Sequence, residues 1–486
     1  MYQNNIIIKK TLAVAAILLL CCGMESCTKS YLDITPKGKL IAQNVSDYDL
    51  LFDNQSLISS GSNSQVAMSD DVLQLDPYYS GAVLKTQRLF QWAAVIYDPG
   101  QDATEMTTVM TQLYVYNKII NEVMDAANGT MQQKQALYAE ALANRAWCYF
   151  TLINYYGKPY DSTTAKTDLC YPIITTADVA NSSFQRATVQ QCYDLIINDL
   201  TTAIPSLLVN AAVRARMTRS AAEALLGKVY VYMGRYTAAL TELNAAVADL
   251  PTTFSVALYD LNVTMATGGT WGYNPVTNPT SYQSLYPTAW TNTENIFCKQ
   301  VTANNWNSTS SDLLLTPQAA SLFTSTDQRR KFFTSQPYGG GTYIVPGALR
   351  RNSGTTLQEG IRLADLYLLK AECEARTGDL TDGTNDLVTL RNKRMSAMEA
   401  AVTITDKDSL TRMIINERER EFALQGERWF DMRRLYSDPL YTGLTYTHNY
   451  YKSDGTVVTY TLTPERLVMQ FPQKVIDQNP GMSNNP

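Results

Sequence analysis

Apolar positions recur at helical spacing through much of the chain. Between 135 and 156, Leu137, Ala141, Ala146, Tyr149, Phe150 and Ile153 recur at helical spacing. This predicts a helix stopped by Gly157 and Pro159. Residues 188–203 repeat the pattern with Cys192, Ile196 and Leu200, Thr188 capping the start and Pro205 closing the end. A further helix is predicted over 106–127.

The stretch 219–252 resembles a tetratricopeptide unit, a 34-residue pair of antiparallel helices. Leu226, Gly227 and Tyr230 lie on its first helix, Gly234 marks the turn, and Ala239, Leu243 and Ala246 lie on the second. Gly227, Ala239 and Ala246 are small enough for the two helices to approach closely. A weaker copy occupies 361–394, with Leu363, Tyr367, Ala371 and Glu374 before the turn Thr377-Gly378-Asp379, and Leu387 and Leu390 after it.

The stretch 251–355 breaks the pattern. It holds Gly268-Gly269, Gly339-Gly340-Gly341, prolines from Pro251 to Pro346, and many Asn, Ser and Thr. Only about 317–324 predicts a helix. Loops of this length in a compact protein are usually functional. Trp271, Trp290 and Trp306 are three of the chain's six tryptophans, and Tyr273, Tyr282 and Tyr286 lie among them. Aromatic rings cover the C–H faces of sugars, while Asn, Asp and Arg hydrogen-bond to hydroxyls, so this is the chemistry of a sugar-binding face. The same rings also suit the pinning of irregular loops to the helices.

Composition sharpens this picture. Of 486 residues, 45% are apolar and 17% charged, and tyrosines outnumber phenylalanines 31 to 12. The core is large, and much aromatic surface is half-wet. A net charge of −5 without a basic run argues against nucleic acid as a partner. The single histidine, His448, leaves no multi-histidine metal site, and no cofactor or metal is implied. No G-x-S-x-G, H-E-x-x-H or phosphate loop occurs. His448 precedes a turn at Lys452–Thr456 between strand-like runs and is read as structural. Cys148, Cys170, Cys192, Cys298 and Cys373 are far apart and odd in number, which fits buried apolar positions.

The amino terminus reads as an address. Lys9-Lys10 precede a ten-residue apolar run, Thr11 to Leu20, too short to span a bilayer but right for a signal peptide. Ser26-Cys27 supplies a lipoprotein cleavage point, so residues 1–26 are the predicted signal and Cys27 the lipid-bearing residue.

Near the carboxyl end, residues 415–435 interleave acids and arginines. As a helix, 415–425 places Glu417 and Glu421 on one side, with Arg420 three residues beyond Glu417. Gly426 suits a break, and Glu427, Arg428, Asp431 and Arg434 open a second short helix. Each acid has a nearby arginine, which keeps it ionised rather than raising its pKa. Glu417, Arg420, Glu421, Arg428 and Asp431 are therefore read as an ion-pair clamp between helices, without a catalytic role.

This segment resembles the C-terminal signature of the SusD/RagB family, surface lipoproteins of Bacteroidetes. Other parts agree in order: Ser26-Cys27 followed by Tyr31-Leu32-Asp33-Ile34-Thr35-Pro36, then Asn144-Arg145-Ala146 with Tyr155-Tyr156-Gly157, the segments 220–234 and 361–378, and the closing Phe471-Pro472-Gln473 through Asn479-Pro480-Gly481. The resemblance implies a mostly α-helical fold of tetratricopeptide-type pairs with a loop-rich ligand face and a few short β-hairpins. Residues 27–486 then form one domain: scaffold at 40–260 and 356–435, a loop-rich insertion at 261–355, and C-terminal loops and strands at 436–486. It also implies non-catalytic capture of oligosaccharides at the outer membrane, beside a SusC-like TonB-dependent transporter. Peptide binding on the same fold and a lipoprotein glycosidase are the alternatives.

The resemblance further implies a shallow site made of two pieces, the loops from Met68-Ser69-Asp70-Asp71 to Trp92 and Asp98, and the insertion at 265–310. Trp271, Trp290, Trp306, Tyr273, Tyr286, Trp92 and Asp71 are the expected ligand-binding residues. Asp71 also suits a loop turn, and Trp92 also suits the core. A glycosidase needs two facing carboxylates, whereas 265–310 holds only Glu294.

Overall fold

A computed structural model describes residues 42–178, 184–271, 286–301, 313–337, 340–351 and 356–486. A short helix that the sequence reading did not predict, α1 (Val45–Leu51), comes first, and the predicted helices follow as α2 (Thr104–Glu122), α3 (Met131–Tyr156), α4 (Val189–Ala203), α5 (Arg219–Tyr232) and α6 (Tyr236–Ala248). Later in the chain come α7 (Leu363–Thr377), α8 (Leu380–Arg391), α9 (Lys407–Glu421) and α10 (Glu427–Leu435). Local chemistry fixes their starts. Thr130 and Gln133 cap α3 reciprocally, and Thr188 and Gln191 do the same for α4. Gly378, at φ +97°, ends α7 in the left-handed conformation that favours glycine.

The helix pairs close as the small residues require. A Cβ on Gly227 would stand 2.6 Å from Leu243 Cγ, so α5 and α6 touch through that glycine. Here α6 also packs on α7, which sets the two repeat-like pairs side by side despite the loop-rich stretch between them. One apolar core runs through α2–α7, and a second cluster lies among α7, α8 and α9.

Apart from one hairpin, the strand pairings of the two sheets were not read from the sequence. Strands β2 (Asn295–Gln300) and β6 (Gln358–Arg362) pair antiparallel. β2 is buried on both faces, so it lacks the alternation that marks a half-buried strand. The other sheet runs β4 (Phe333–Thr334), β5 (Leu349–Arg351), β3 (Leu314–Leu315), β1 (Val72–Leu75), β7 (Thr447–Tyr451) and β8 (Val457–Thr461). It joins segments from three distant parts of the chain, and β7–β8 is the hairpin predicted around Gly455. The short helix expected near 317–324 spans Pro317–Ala320. All five described cysteines are buried thiols. Among the described residues, no helix is long and apolar enough to cross a membrane.

Candidate functional site

The structure separates the expected ligand-binding residues into distinct settings. Trp306 and Tyr273 lie outside the described residues. Two of the others belong to the interior. Trp92 is 4% exposed, its Nε1 donates to the Met68 carbonyl at 2.9 Å, and its ring stacks on His448. Asp71 is buried where β1 begins, accepting from the Leu424 amide at 3.3 Å. Burial, then the neighbouring Glu419 and Asp70 carboxylates, push it up to about 8. Neither residue faces an open surface, which corrects their reading as surface contacts. The paired acids Asp70-Asp71 looked exposed because their partners, Arg428 and the Leu424 amide, come from the far end of the chain.

Trp271 and Tyr286 do meet, with centroids 5.4 Å apart, but inside a ring cluster with Tyr259 and Phe332. Trp271 is only 7% exposed. The cluster roofs a chamber of about 60 Å³ lined by arginines and by Glu294 and Glu421. Arg394 lies between those two acids, at 2.9 and 2.7 Å. Burial raises both, and for Glu294 it prevails over Arg394. For Glu421, Arg394 and Arg329 prevail and hold the carboxyl at about 2. Acid–base pairs are often split in this way. Here, however, a guanidinium occupies the gap, and the chamber has room for roughly four to six waters rather than a sugar ring.

The remaining segment acids are also paired. Glu417 meets Arg329 and Arg391 at 2.7 Å and Arg420 as well. Arg418 joins Asp365 at 2.6 Å to Asp431 at 2.9 Å. Arg428 leaves the segment to grip Asp70 at 2.6 Å and approaches Glu419 at 3.2 Å. Among the described residues, no group of three or more His, Cys, Asp or Glu could hold a metal ion.

Trp290 has a different setting. It is 42% exposed, yet its turn is fixed from below. Asn295 Nδ2 donates to the Ala289 carbonyl at 3.0 Å, and Gln358 Nε2 donates to that of Pro287 at 2.8 Å. Asn292 Nδ2 in turn donates to Gln358 at 2.8 Å. A buried amide network thus fixes the turn that carries a large, partly exposed ring. The ring borders a cleft of about 180 Å³ whose other walls include Phe52, Asn54, Gln55, Asn144 and Arg216. Asn54 and Gln55 are exposed.

Arg216 is shared with a second, larger groove of about 620 Å³ between α1, the start of α3 and the loop 207–217. Its guanidinium joins Asp49 and Glu140, both at 2.7 Å, and lies 4.8 Å from the centre of the Phe52 ring. The loop is anchored to β2, because Arg214 donates to the Asn295 carbonyl at 2.7 Å and its own carbonyl accepts from Cys298. Both walls of the cleft therefore rest on one strand. A neutral, hydroxyl-bearing molecule would find a ring to stack on and amides to bond to.

The sequence reading missed Phe52, Asn54, Gln55 and Arg216. It also missed three half-buried tyrosines, Tyr78, Tyr343 and Tyr451, which cover Leu73, Leu75, Leu314 and Ala348 on the six-stranded sheet. Tyrosine content was the available signal, but their grouping depends on strand pairing.

Comparison with known proteins agrees with this architecture. The family model described as "starch-binding associating with outer membrane" matches residues 30–231, and the SusD family model matches 338–486. No curated protein matches the sequence. A SusD superfamily protein from Bacteroides vulgatus ATCC 8482 superposes with a TM-score of 0.69 at 19% identity, covering 91% of this chain and 99% of that one. One from Bacteroides thetaiotaomicron VPI-5482 gives 0.67 at 18%, covering 91% and 100%. A laminarin-binding SusD-like protein gives 0.61 at 18%, covering 91% and 99%. At these identities the structural likeness is one of fold, and the two family matches in chain order assign the lineage: the chain belongs to the SusD/RagB family and has its mostly helical fold.

Proposed function

We propose that this chain is a non-catalytic binding protein that captures glycans at the outer membrane and hands them to a SusC-like TonB-dependent transporter, tethered by a lipid on Cys27. The observation that carries the reading is Trp290. Leaving a tryptophan in solvent forgoes part of the roughly 1.5–3 kcal/mol that burying a large apolar side chain supplies. Here the turn beneath it is fixed by Asn295 and Gln358, and the ring stands partly exposed above that turn. A ring kept outward beside exposed Asn54 and Gln55 suits stacking on a sugar and hydrogen bonding to its hydroxyls. The family description and the laminarin-binding neighbour point to the same ligand class.

The pairing of the nearby acids supports binding rather than hydrolysis. Asp49 and Glu140 share Arg216, and Glu294 and Glu421 share Arg394. A glycan array probed with the purified chain 28–486, followed by calorimetry on the best ligands, tests the proposal. Saturable binding with intact recovered oligosaccharide is expected. Cleavage products, or no glycan bound at millimolar concentration, would defeat it.

A further inference from the structure

Resting on the proposed glycan reading, we infer that the ligand is a neutral glycan chain long enough to cross the ridge at Arg216, with one part on the Trp290 cleft and the next in the 620 Å³ groove, and that acidic glycans are rejected.

Continuity supports a single extended site. Arg216 lines both cavities, and its guanidinium is held from two sides, by Asp49 and Glu140. The ridge that carries it is tied down along its length. Arg219 donates its amide to the Leu208 carbonyl at 2.9 Å, Thr252 to Asn210 Oδ1 at 2.7 Å, and Cys298 to the Arg214 carbonyl at 2.9 Å. The groove is thus preformed, and its volume lies within the range that takes small ligands. Its floor is apolar, with Leu137, Leu207 and Met217. Its rim is amide-rich, with exposed Asn128, Gln132, Gln133 and Asn210. Apolar faces with neutral amides around them match the two sides of a sugar ring.

Charge selects the class. Among the described residues, the charged groups lining the two cavities are Asp49, Glu140, Asp53 and Arg216. Three carboxylates face one guanidinium, and two of the three already occupy it. A uronate or sulfate entering here meets exposed Asp53 and Asp49 with no cation to receive it. Arg214, the nearest arginine on the ridge, donates to the Asn295 and Ser255 carbonyls and packs over Phe254. A neutral chain meets no such penalty. The repulsion is local, because the Debye length near physiological salt is about 8 Å.

Calorimetry with neutral gluco-disaccharides and gluco-hexasaccharides of several linkages, beside hexagalacturonate, tests this. Ala136→Trp blocks the groove from α3, and Gln132→Trp does so from an exposed position where folding is not at risk. The expected result is that a neutral hexasaccharide binds at least about tenfold more tightly than hexagalacturonate at low salt. The gap should narrow as salt rises or in Asp53→Asn. Either blocking variant should weaken the hexasaccharide about tenfold and leave the disaccharide unchanged. If neutral chains bind but ignore both blocking variants, or hexagalacturonate binds as well as they do, this inference is wrong while the glycan reading stands. If no glycan of either kind binds, the glycan reading itself fails and the inference with it.

Discussion

His448 lies flat against Trp92, with ring centroids 3.8 Å apart and planes 16° from parallel. Phe90 covers its other face at 4.4 Å. The imidazole nitrogens lie 2.6 Å from the Phe90 and Ser69 carbonyls, and burial outweighs these partners to hold the ring's pKa down at about 4. The lone histidine is thus the key of an aromatic stack that locks β7 to the loops around Ser69 and Phe90. Trp92 itself holds a left-handed backbone conformation, φ +47°, which only surrounding packing makes tolerable in a bulky residue.

Trp92→Ala should therefore act on stability. Removing a buried tryptophan from a filled core costs about 3–5 kcal/mol. Urea unfolding should show a loss of that size, and glycan affinity of the folded fraction should stay within twofold. A well-folded variant with abolished binding would return Trp92 to the ligand surface.

Glu417 tests the ion-pair segment. Its carboxylate is fully buried among Arg329, Arg391 and Arg420. Glu417→Gln leaves three guanidinium groups with less negative charge to offset them. Breaking a buried pair on one side costs about 3–5 kcal/mol. The expected outcome is a large drop in melting temperature with ligand affinity retained. Normal stability with lost binding would assign the segment a functional role.

Asp71 gives a pH signature. Its carboxyl is lifted to about 8, above its ordinary value of 3.8, so the folded state holds a proton that the unfolded chain releases. The stabilisation is complete below about pH 4 and is lost as pH rises toward 8, with a slope of up to about 1.4 kcal/mol per pH unit. Asp71→Asn keeps an acceptor for the Leu424 amide and carries no charge. The stability gap between variant and wild type should widen in the variant's favour from pH 5 to pH 8. Parallel stability curves would show that Asp71 is ionised at neutral pH.

Cys27→Ala tests the anchor. Without the thiol no lipid is attached, and the chain should move from the outer-membrane fraction to the soluble one and cease to label with palmitate. Continued membrane association with label would place the lipid elsewhere.

What the sequence revealed followed from how local each feature is. The α5–α6 pair was legible because Gly227, Ala239 and Leu243 lie within one repeat. The clustering of arginine and acid in 415–435 was legible because α9 and α10 are short and adjacent. The amide and guanidinium walls of the candidate cleft were not. Arg216 meets Asp49 across 167 residues of chain, and His448 meets the Phe90 carbonyl across 358. No spacing rule reaches that far. Trp92 and Asp71 were misplaced for the same reason, since each is buried by a partner from the opposite end of the chain.

Trp271 and Trp290 separate packing from binding within one loop-rich stretch. Both were expected to touch ligand, and they lie 19 positions apart in the sequence. Trp271 sits against Tyr259 at 5.0 Å, Tyr286 at 5.4 Å and Phe332 at 6.2 Å, so its removal opens a cavity between rings. Trp271→Ala should cost about 3–5 kcal/mol of stability. Trp290 is 42% exposed and its turn is held by Asn295 and Gln358, so Trp290→Ala should lower the melting temperature far less than Trp271→Ala. Stacking on one ring contributes on the order of 1 kcal/mol, so the same variant should weaken glycan binding by roughly five- to tenfold. The two variants therefore move opposite observables, and thermal melts beside calorimetry on each decide the matter. If Trp290→Ala binds like wild type, the ligand rests elsewhere, and the half-buried tyrosines Tyr78, Tyr343 and Tyr451 on the six-stranded sheet become the next surface to mutate.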